Sequence, residues 1–315
     1  MEASNGLARM LRTDADGMTV CVRRDCTLGE LFDSWGLSKA AARRLVPKAQ
    51  LTGTDVPASS ACRLEAGDEV SIPFELPREP VENDVPPADV LWQDRFCLAA
   101  LKPCGLLVHG DGTCAPTLTQ RVEAYLAGQT RSGSWSVPPV PQALQRLDVP
   151  TSGIVWFSLT KEFQSAFDVL VASHAMDKCY LAVVEGTVGW DVRDLCQPIA
   201  RDRHDARRMR VGRTGKPAHT RVACLSRSGG RTLVACRLLT GRRHQIRVHL
   251  AHAGFAIVGD ELYGRAAACG LMLHAYRTAF THPVTYERVM LQTDWPARFT
   301  NLFSPRRIDW SILDA

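Results

Sequence analysis

In the run Gln145-Arg146-Leu147-Asp148-Val149-Pro150-Thr151-Ser152-Gly153, an aspartate stands three residues before a Thr-Ser-Gly turn. The turn feeds the apolar segment Ile154-Val155-Trp156-Phe157, which reads as a buried strand and places Asp148 at the margin of a core. A carboxylate there must be paired, hydrogen-bonded or engaged in chemistry, because burial penalises its charged form. Asp, Thr, Ser and Gly are also ordinary turn formers, so this run alone is compatible with a plain turn. Three further segments change the balance. Lys178-Cys179-Tyr180-Leu181-Ala182-Val183-Val184-Glu185-Gly186 is a strand that opens with a cation and a tyrosine. Thr240-Gly241-Arg242-Arg243-His244-Gln245-Ile246-Arg247-Val248-His249 is a turn entering a helix with Arg247 inside it. Asp260-Glu261-Leu262-Tyr263-Gly264 and Leu271-Met272-Leu273-His274-Ala275 complete the set.

In this order and spacing, the segments resemble those of the RluA-type pseudouridine synthases, which isomerise uridine in ribosomal and transfer RNA. The resemblance runs from about Val90 to the C-terminus and includes Lys102-Pro103-Cys104-Gly105-Leu106-Leu107-Val108-His109, similar to the family's first motif. It implies that specific uridines in structured RNA, ribosomal or transfer, are converted to pseudouridine without a cofactor. The sugar–nitrogen bond breaks, the base turns, and the ring rejoins through carbon 5. Cleavage builds positive charge on the sugar, which an ionised carboxylate can stabilise, attack, or relieve by removing the 2′ proton. The resemblance gives that role to Asp148 and leaves the three routes open. It makes Arg247 the partner that keeps Asp148 charged and oriented, and Tyr180 the aromatic that stacks on the flipped base and assists loss of the carbon 5 proton.

Among substrate-binding positions, Arg146 is similar to the family's arginine that takes the place of the flipped base, which a planar guanidinium can do and lysine cannot. Lys178 would share a sheet face with Tyr180 and reach a phosphate or a neighbouring carboxylate. Ile246 and Leu273 stand at pocket-wall positions and read equally as core residues. Gln145 departs from the family, which usually has histidine there; this bears on substrate geometry more than on chemistry.

His244, His249 and His252 lack metal-site spacing and an acidic third ligand, so no metal is expected. The stretch from Arg201 to Lys216 is the strongest basic patch, with Arg207, Arg208 and Arg210 as candidate phosphate contacts in a loop. Two other readings remain: a catalytically silent RNA-binding protein on the same fold, favoured by Gln145, and a nucleoside or glycoside hydrolase. The hydrolase reading wants a second carboxylate to activate water.

These residues need a scaffold. Strand-like runs at Leu181–Val184, Val222–Leu225, Thr232–Leu238 and Val289–Gln292 alternate with few helices. The expected class is α+β, a mixed, mainly antiparallel central sheet with flanking helices over residues 90–315. Thr160 is expected to cap a helix that turns Phe163, Ala166, Phe167, Leu170 and Val171 to one face. Residues 18–75 read as a small helix-plus-strand module similar to the alpha-L RNA-binding fold, with Thr27 and Ser38 as helix caps. Lys39, Arg43, Arg44 and Lys48 are its candidate RNA contacts. Thr54-Asp55 stands where that fold usually turns on Asn-Gly. Residues 76–89 hold Pro77, Pro80, Pro86 and Pro87 among acidic side chains and read as a linker, so a chain starting near Val81 is expected to fold alone.

The 315 residues carry a net charge of +5, which permits an RNA partner without demanding one. No apolar run approaches the ~18 residues of a membrane span, and the first residues lack the apolar core of a secretory signal. The eleven cysteines are scattered without a Cys-x-x-Cys pair, as in a reducing compartment. A cytoplasmic monomer is expected, with neither metal nor membrane.

Overall fold

A computed structural model describes residues 6–13, 17–52, 58–74, 85–113, 115–131, 139–305 and 307–314. The main sheet has ten strands and is mainly antiparallel, as expected. From one edge its order is Val192–Leu195, Thr220–Ser228, Arg231–Leu238, Asp177–Glu185, Leu273–Thr281, Ser152–Ser158, Cys97–Lys102 and Asp89–Gln93. Arg288–Gln292 adds to Leu273–Thr281, and Gln142–Ala143 adds to Ser152–Ser158. Only the central pairing of Ser152–Ser158 with Leu273–Thr281 is parallel, joining Ser152 to His274 and Gly153 to Ala275. That pairing brings the Asp148 turn beside the Leu273 segment, which lies far away in sequence.

The strand Ser152–Ser158 is buried on both faces, which explains its unbroken apolar run. Val155 and Phe157 meet Leu118, Val122 and Leu126 of helix Leu118–Arg131. Sequence reading passed over this helix, although Thr117 and Gln120 form a reciprocal cap at its start. Ile154 and Trp156 face the other way, towards Phe163, Phe167 and Leu170. Here the expected cap fails: Thr160 precedes a short 3₁₀ turn, Lys161–Phe163, and caps nothing with its side chain. The α-helix begins only at Gln164 and runs to Ala172.

Both caps expected in the N-terminal module are present. Thr27 forms a capping box with Glu30 ahead of helix Leu28–Ser34, and Ser38 caps Lys39–Leu45. The module's sheet orders Ala8–Thr13, Gly17–Val22, Glu69–Pro73 and Gln50–Leu51. It therefore takes in a strand ahead of residue 18. Thr54-Asp55, Pro77, Pro80 and the acidic residues Glu75, Glu79, Glu82 and Asp84 lie outside the described residues.

The module is docked on the larger part. Trp35 meets Phe163 edge-on with ring centroids 6.0 Å apart, and Phe74 packs against Phe96 and Phe163. The Tyr286 hydroxyl donates to the Ser34 carbonyl at 2.9 Å, and the Ser38 amide donates to Ser165 Oγ at 2.8 Å. A single apolar cluster runs from Leu31 and Val70 through Phe96 to Phe280. A chain starting near Val81 would leave Phe96 and Phe163 facing water, so the expectation that it folds unaided gives way to a shared core. Among the described residues no helix is long and apolar enough to cross a membrane.

The shared core sets the first expected outcome. Phe163→Ala removes a fully buried ring and should cost about 3–5 kcal/mol. Thermal unfolding followed by circular dichroism should show one transition shifted down as a whole. Early melting of the module, with the remainder unmoved, would contradict a shared core.

Candidate active site

Asp148 sits in a loop held from several sides. The Thr151 amide donates to the Asp148 carbonyl at 3.0 Å, and Gly105 N donates to the Val149 carbonyl at 2.9 Å. Lys102, wholly buried, donates to the carbonyls of Val149 and Pro103 at 2.9 and 3.0 Å. Burial pulls its pKa down to about 8, with the nearby Cys104 and Asp148 pulling the other way. Ser152 shares a hydrogen bond with His274 Nδ1 at 2.8 Å, and His274 Nε2 one with Thr293 Oγ1 at 2.8 Å. Burial lowers the His274 pKa to about 3, so the ring is neutral in this chain of hydrogen bonds. Gly153 has φ +122, and a Cβ there would stand 2.2 Å from the Ala275 carbonyl oxygen. The glycine is thus a condition of the parallel pairing.

The side chain of Asp148 is about a quarter exposed and faces a cavity of about 1210 Å³. Arg247 Nη1 donates to its Oδ2 at 3.0 Å. The rest of the guanidinium is spent on Asp260: Nε donates to Oδ2 at 2.8 Å and Nη2 to Oδ1 at 2.7 Å. Asp260 is fully buried and also accepts the amides of Leu262 and Tyr263. Burial opposes the charge of Arg247, but the hydrogen bonds and charge of Asp260, and then of Asp148, hold its pKa above the usual arginine value. Arg247 is therefore a fixed cation between two carboxylates, one buried and one open to the cavity. The sequence alone assigns Asp260 no partner. Its signal was an acidic residue opening a short run that lacks strand or helix periodicity.

Tyr180, Lys178, Ile246, Leu273 and Arg146 all line the same cavity. Tyr180 is nearly buried, and burial followed by the charge of Asp148 raises its phenol pKa. Its oxygen stays protonated at neutral pH. Burial lowers the pKa of Lys178. Its neighbour Asp177, which pulls that pKa the other way, pairs with Arg237 and Arg277 at 2.8 and 3.1 Å. Seven lysines and arginines line the cavity against two carboxylates, Asp148 and Glu261. The volume exceeds the roughly 300–1,000 Å³ of small-molecule pockets.

The basic stretch after Arg201 is partly a hairpin, Ile199–Arg201 paired with Met209–Val211. Its three candidate residues differ in situation. Arg207 folds onto Asp205 through two hydrogen bonds of 3.1 and 2.9 Å. The Arg208 guanidinium lies 5.3 Å from the Tyr263 ring centre, and Arg210 is exposed. Arg243 Nη2 donates to the Arg207 carbonyl at 3.0 Å, fastening the hairpin to the entry of the Arg247 helix. In the module, Lys39, Arg43 and Lys48 are exposed and Arg44 is half-buried.

His249 shares hydrogen bonds with Thr220 and the Gln197 carbonyl. Asp94, Cys97 and His282 do come together. His282 Nδ1 accepts the amides of Val284 and Thr285, which fixes its proton on Nε2, 3.2 Å from Asp94. Burial, and then Asp94, raises the Cys97 thiol pKa. Asp94 Oδ1 also accepts the amides of Phe96 and Cys97 at 2.8 Å, while His282 Nε2 makes no hydrogen bond.

Residues 97–252 match the family described as RNA pseudouridylate synthase. The chain is 32% identical over 309 residues to ribosomal large subunit pseudouridine synthase D of Xanthomonas campestris pv. campestris, covering 91% of this chain and 89% of that one. It is 31% identical to ribosomal large subunit pseudouridine synthase C of Escherichia coli strain K12, covering 82% and 85%. In structure it is similar to human RNA pseudouridylate synthase domain containing 1. The TM-score is 0.55 at 24% identity, over 69% of this chain and 86% of the other, which establishes likeness of fold.

The buried end of the ion network sets a second expected outcome. Asp260→Asn leaves Arg247 without its full counter-charge inside the protein and should destabilise the fold by about 3–5 kcal/mol. Urea titration would measure it. A loss below 1 kcal/mol would mean that Asp260 is not what anchors Arg247.

Proposed function

Because the chain belongs to the RluA-type RNA pseudouridine synthases, we propose that it isomerises one or more uridines of large-subunit ribosomal RNA, with Asp148 as the essential carboxylate. The observation that carries this reading is the placement of Asp148: paired through Oδ2 with Arg247, on the wall of a large cavity lined by seven lysines and arginines. A carboxylate held there can meet the positive sugar as the base departs. The other candidate residues surround it on the same wall. The Tyr180 ring supports the extruded base, and its protonated oxygen relays a proton as carbon 5 loses one and nitrogen 1 gains one. Lys178 holds a phosphate or a carbonyl oxygen of the target nucleotide. Arg146 fills the gap left in the RNA stack, while Ile246 and Leu273 form the apolar floor against the base.

The hydrolase reading wants a second carboxylate placed to activate water beside Asp148. Among the described residues, Asp260 is fully buried and committed to Arg247, and the other carboxylate lining the cavity is the exposed Glu261. The reading as a silent RNA binder has only Gln145 in its favour, against a complete Asp148–Arg247–Tyr180 set. The targets named in the relatives, together with the excess of cations, support ribosomal RNA as the substrate. The module contributes Lys39, Arg43, Arg44 and Lys48 as further phosphate contacts, and the hairpin contributes Arg207, Arg208 and Arg210.

Carbodiimide labelling and mass spectrometry of RNA from cells with and without the gene test the substrate, since a pseudouridine lost from large-subunit RNA is expected. A site lost only from transfer RNA would overturn that part. For the chemistry, Asp148→Asn keeps the shape of the side chain and removes its charge. Conversion should fall below detection while RNA affinity stays within about threefold of wild type. Conversion near the wild-type rate would remove Asp148 from its role.

A further inference from the structure

His244 is an ionisable group beside Asp148 to which the reading above gives no work. It precedes helix Gln245–His252 with φ 55, a left-handed conformation uncommon for a side-chain-bearing residue. Such conformations persist where surroundings force them, and they cluster at functional sites. The His244 side chain is 8% exposed, and its Nε2 stands 3.7 Å from Asp148 Oδ1. That is the oxygen Arg247 leaves free, since Arg247 binds Oδ2.

Its tautomer follows from a second contact. His244 Nδ1 lies 2.8 Å from the Tyr263 hydroxyl. That hydroxyl accepts the Met209 amide at 2.7 Å and keeps its own hydrogen to offer Nδ1. With Nδ1 accepting, the ring proton sits on Nε2, 3.7 Å from Asp148 Oδ1. Arg243 Nε also approaches Nε2, at 3.4 Å, a contact that needs a bare Nε2 and that the Nε2–H tautomer gives up. Burial lowers the His244 pKa, with Asp148 pulling the other way, so the ring is a neutral donor at neutral pH. A neutral donor can orient a carboxylate without adding a second full positive charge to weaken its attraction for the sugar cation. Distances of this kind commonly shorten when substrate enters.

Resting on the functional reading above, we propose that His244 is a positioning residue of the isomerisation: presented by Tyr263 as the Nε2–H tautomer, it orients the free oxygen of Asp148 towards the sugar. Tyr263 is fixed in turn by the Met209 amide and stacks with Arg247 and Arg208, whose guanidinium carbons lie 5.2 and 5.3 Å from its ring centre. The basic hairpin and the catalytic carboxylate thus share one intermediary.

Two substitutions separate the ring nitrogens. An asparagine amide matches the position of Nδ1 and tolerates left-handed backbone, so His244→Asn can still meet Tyr263 but cannot reach Asp148. A glutamine amide matches Nε2 and can reach it. The experiment uses the full chain and an RNA transcript that the wild type converts, so the functional reading is established independently by that conversion. Single-turnover rates at saturating RNA are measured alongside RNA dissociation constants. His244→Asn should lose about 10- to 100-fold in rate with RNA affinity unchanged, the scale of a misplaced catalytic group. His244→Gln should recover at least tenfold of that loss. Tyr263→Phe, which keeps the ring and removes the hydroxyl, should lose severalfold in rate. If Asn and Gln are equally impaired, or if Asn stays within threefold of wild type, the proposal is overturned, and His244 merely shapes the helix entry. Should His244→Asn fail to fold, a wild-type rate in Tyr263→Phe would overturn it by itself.

Discussion

The site depends on one arginine holding two carboxylates at once. Asp148 stands at the wall of the cavity, where a carboxylate needs a fixed partner for its charge. Arg247 resolves this, but a buried guanidinium is itself costly unless its donors are satisfied. Asp260 satisfies them from below, through two hydrogen bonds and with its own charge tied to the amides of Leu262 and Tyr263. The result is a graded column: a buried, fully committed pair at the base and a partly exposed carboxylate at the top. Geometry that would be loose on a surface is here set by close packing and by three hydrogen bonds from a single planar group.

The sheet serves that column. Its sole parallel pairing places Gly153 against Ala275, and this close approach sets the Asp148 turn next to the segment from Leu271 to Ala275. Lys102 and Gly105 hold the turn from the other side through the Val149 carbonyl. The N-terminal module shares its core with the sheet through Trp35, Phe74 and Phe163. Its cationic helix and the Asp148 cavity therefore share one core; under the proposed function, an RNA engaged by both would present its target uridine at a set position relative to the module.

Much of this was legible in the sequence because it rests on local signals. Thr27 and Ser38 announce helix starts, and alternating apolar strands announce a sheet. Asp148, Tyr180 and Arg247 stand in segments distinctive enough to be read in order. What escaped was of two kinds. Some features are tertiary choices among locally equal options: the helix after Thr160 starts as a 3₁₀ turn because Phe163 packs into the shared core, and the module docks where a proline-rich composition suggested a free tether. Others are partnerships. A carboxylate such as Asp260 shows in sequence that it is acidic, but not that its charge is taken up by an arginine thirteen residues away in the chain. His244 and Tyr263 were invisible as a pair for the same reason.

The central claim is that the shape of the Arg247 guanidinium, and not its charge alone, keeps Asp148 competent. Arg247→Lys retains the charge and removes the planar fork, so it isolates the claim. Single-turnover conversion at saturating RNA is the measurement. The account expects a loss of roughly 100-fold, from about 2–4 kcal/mol of transition-state stabilisation, with RNA affinity close to wild type. A rate within threefold of wild type would contradict it, since a point charge would then suffice.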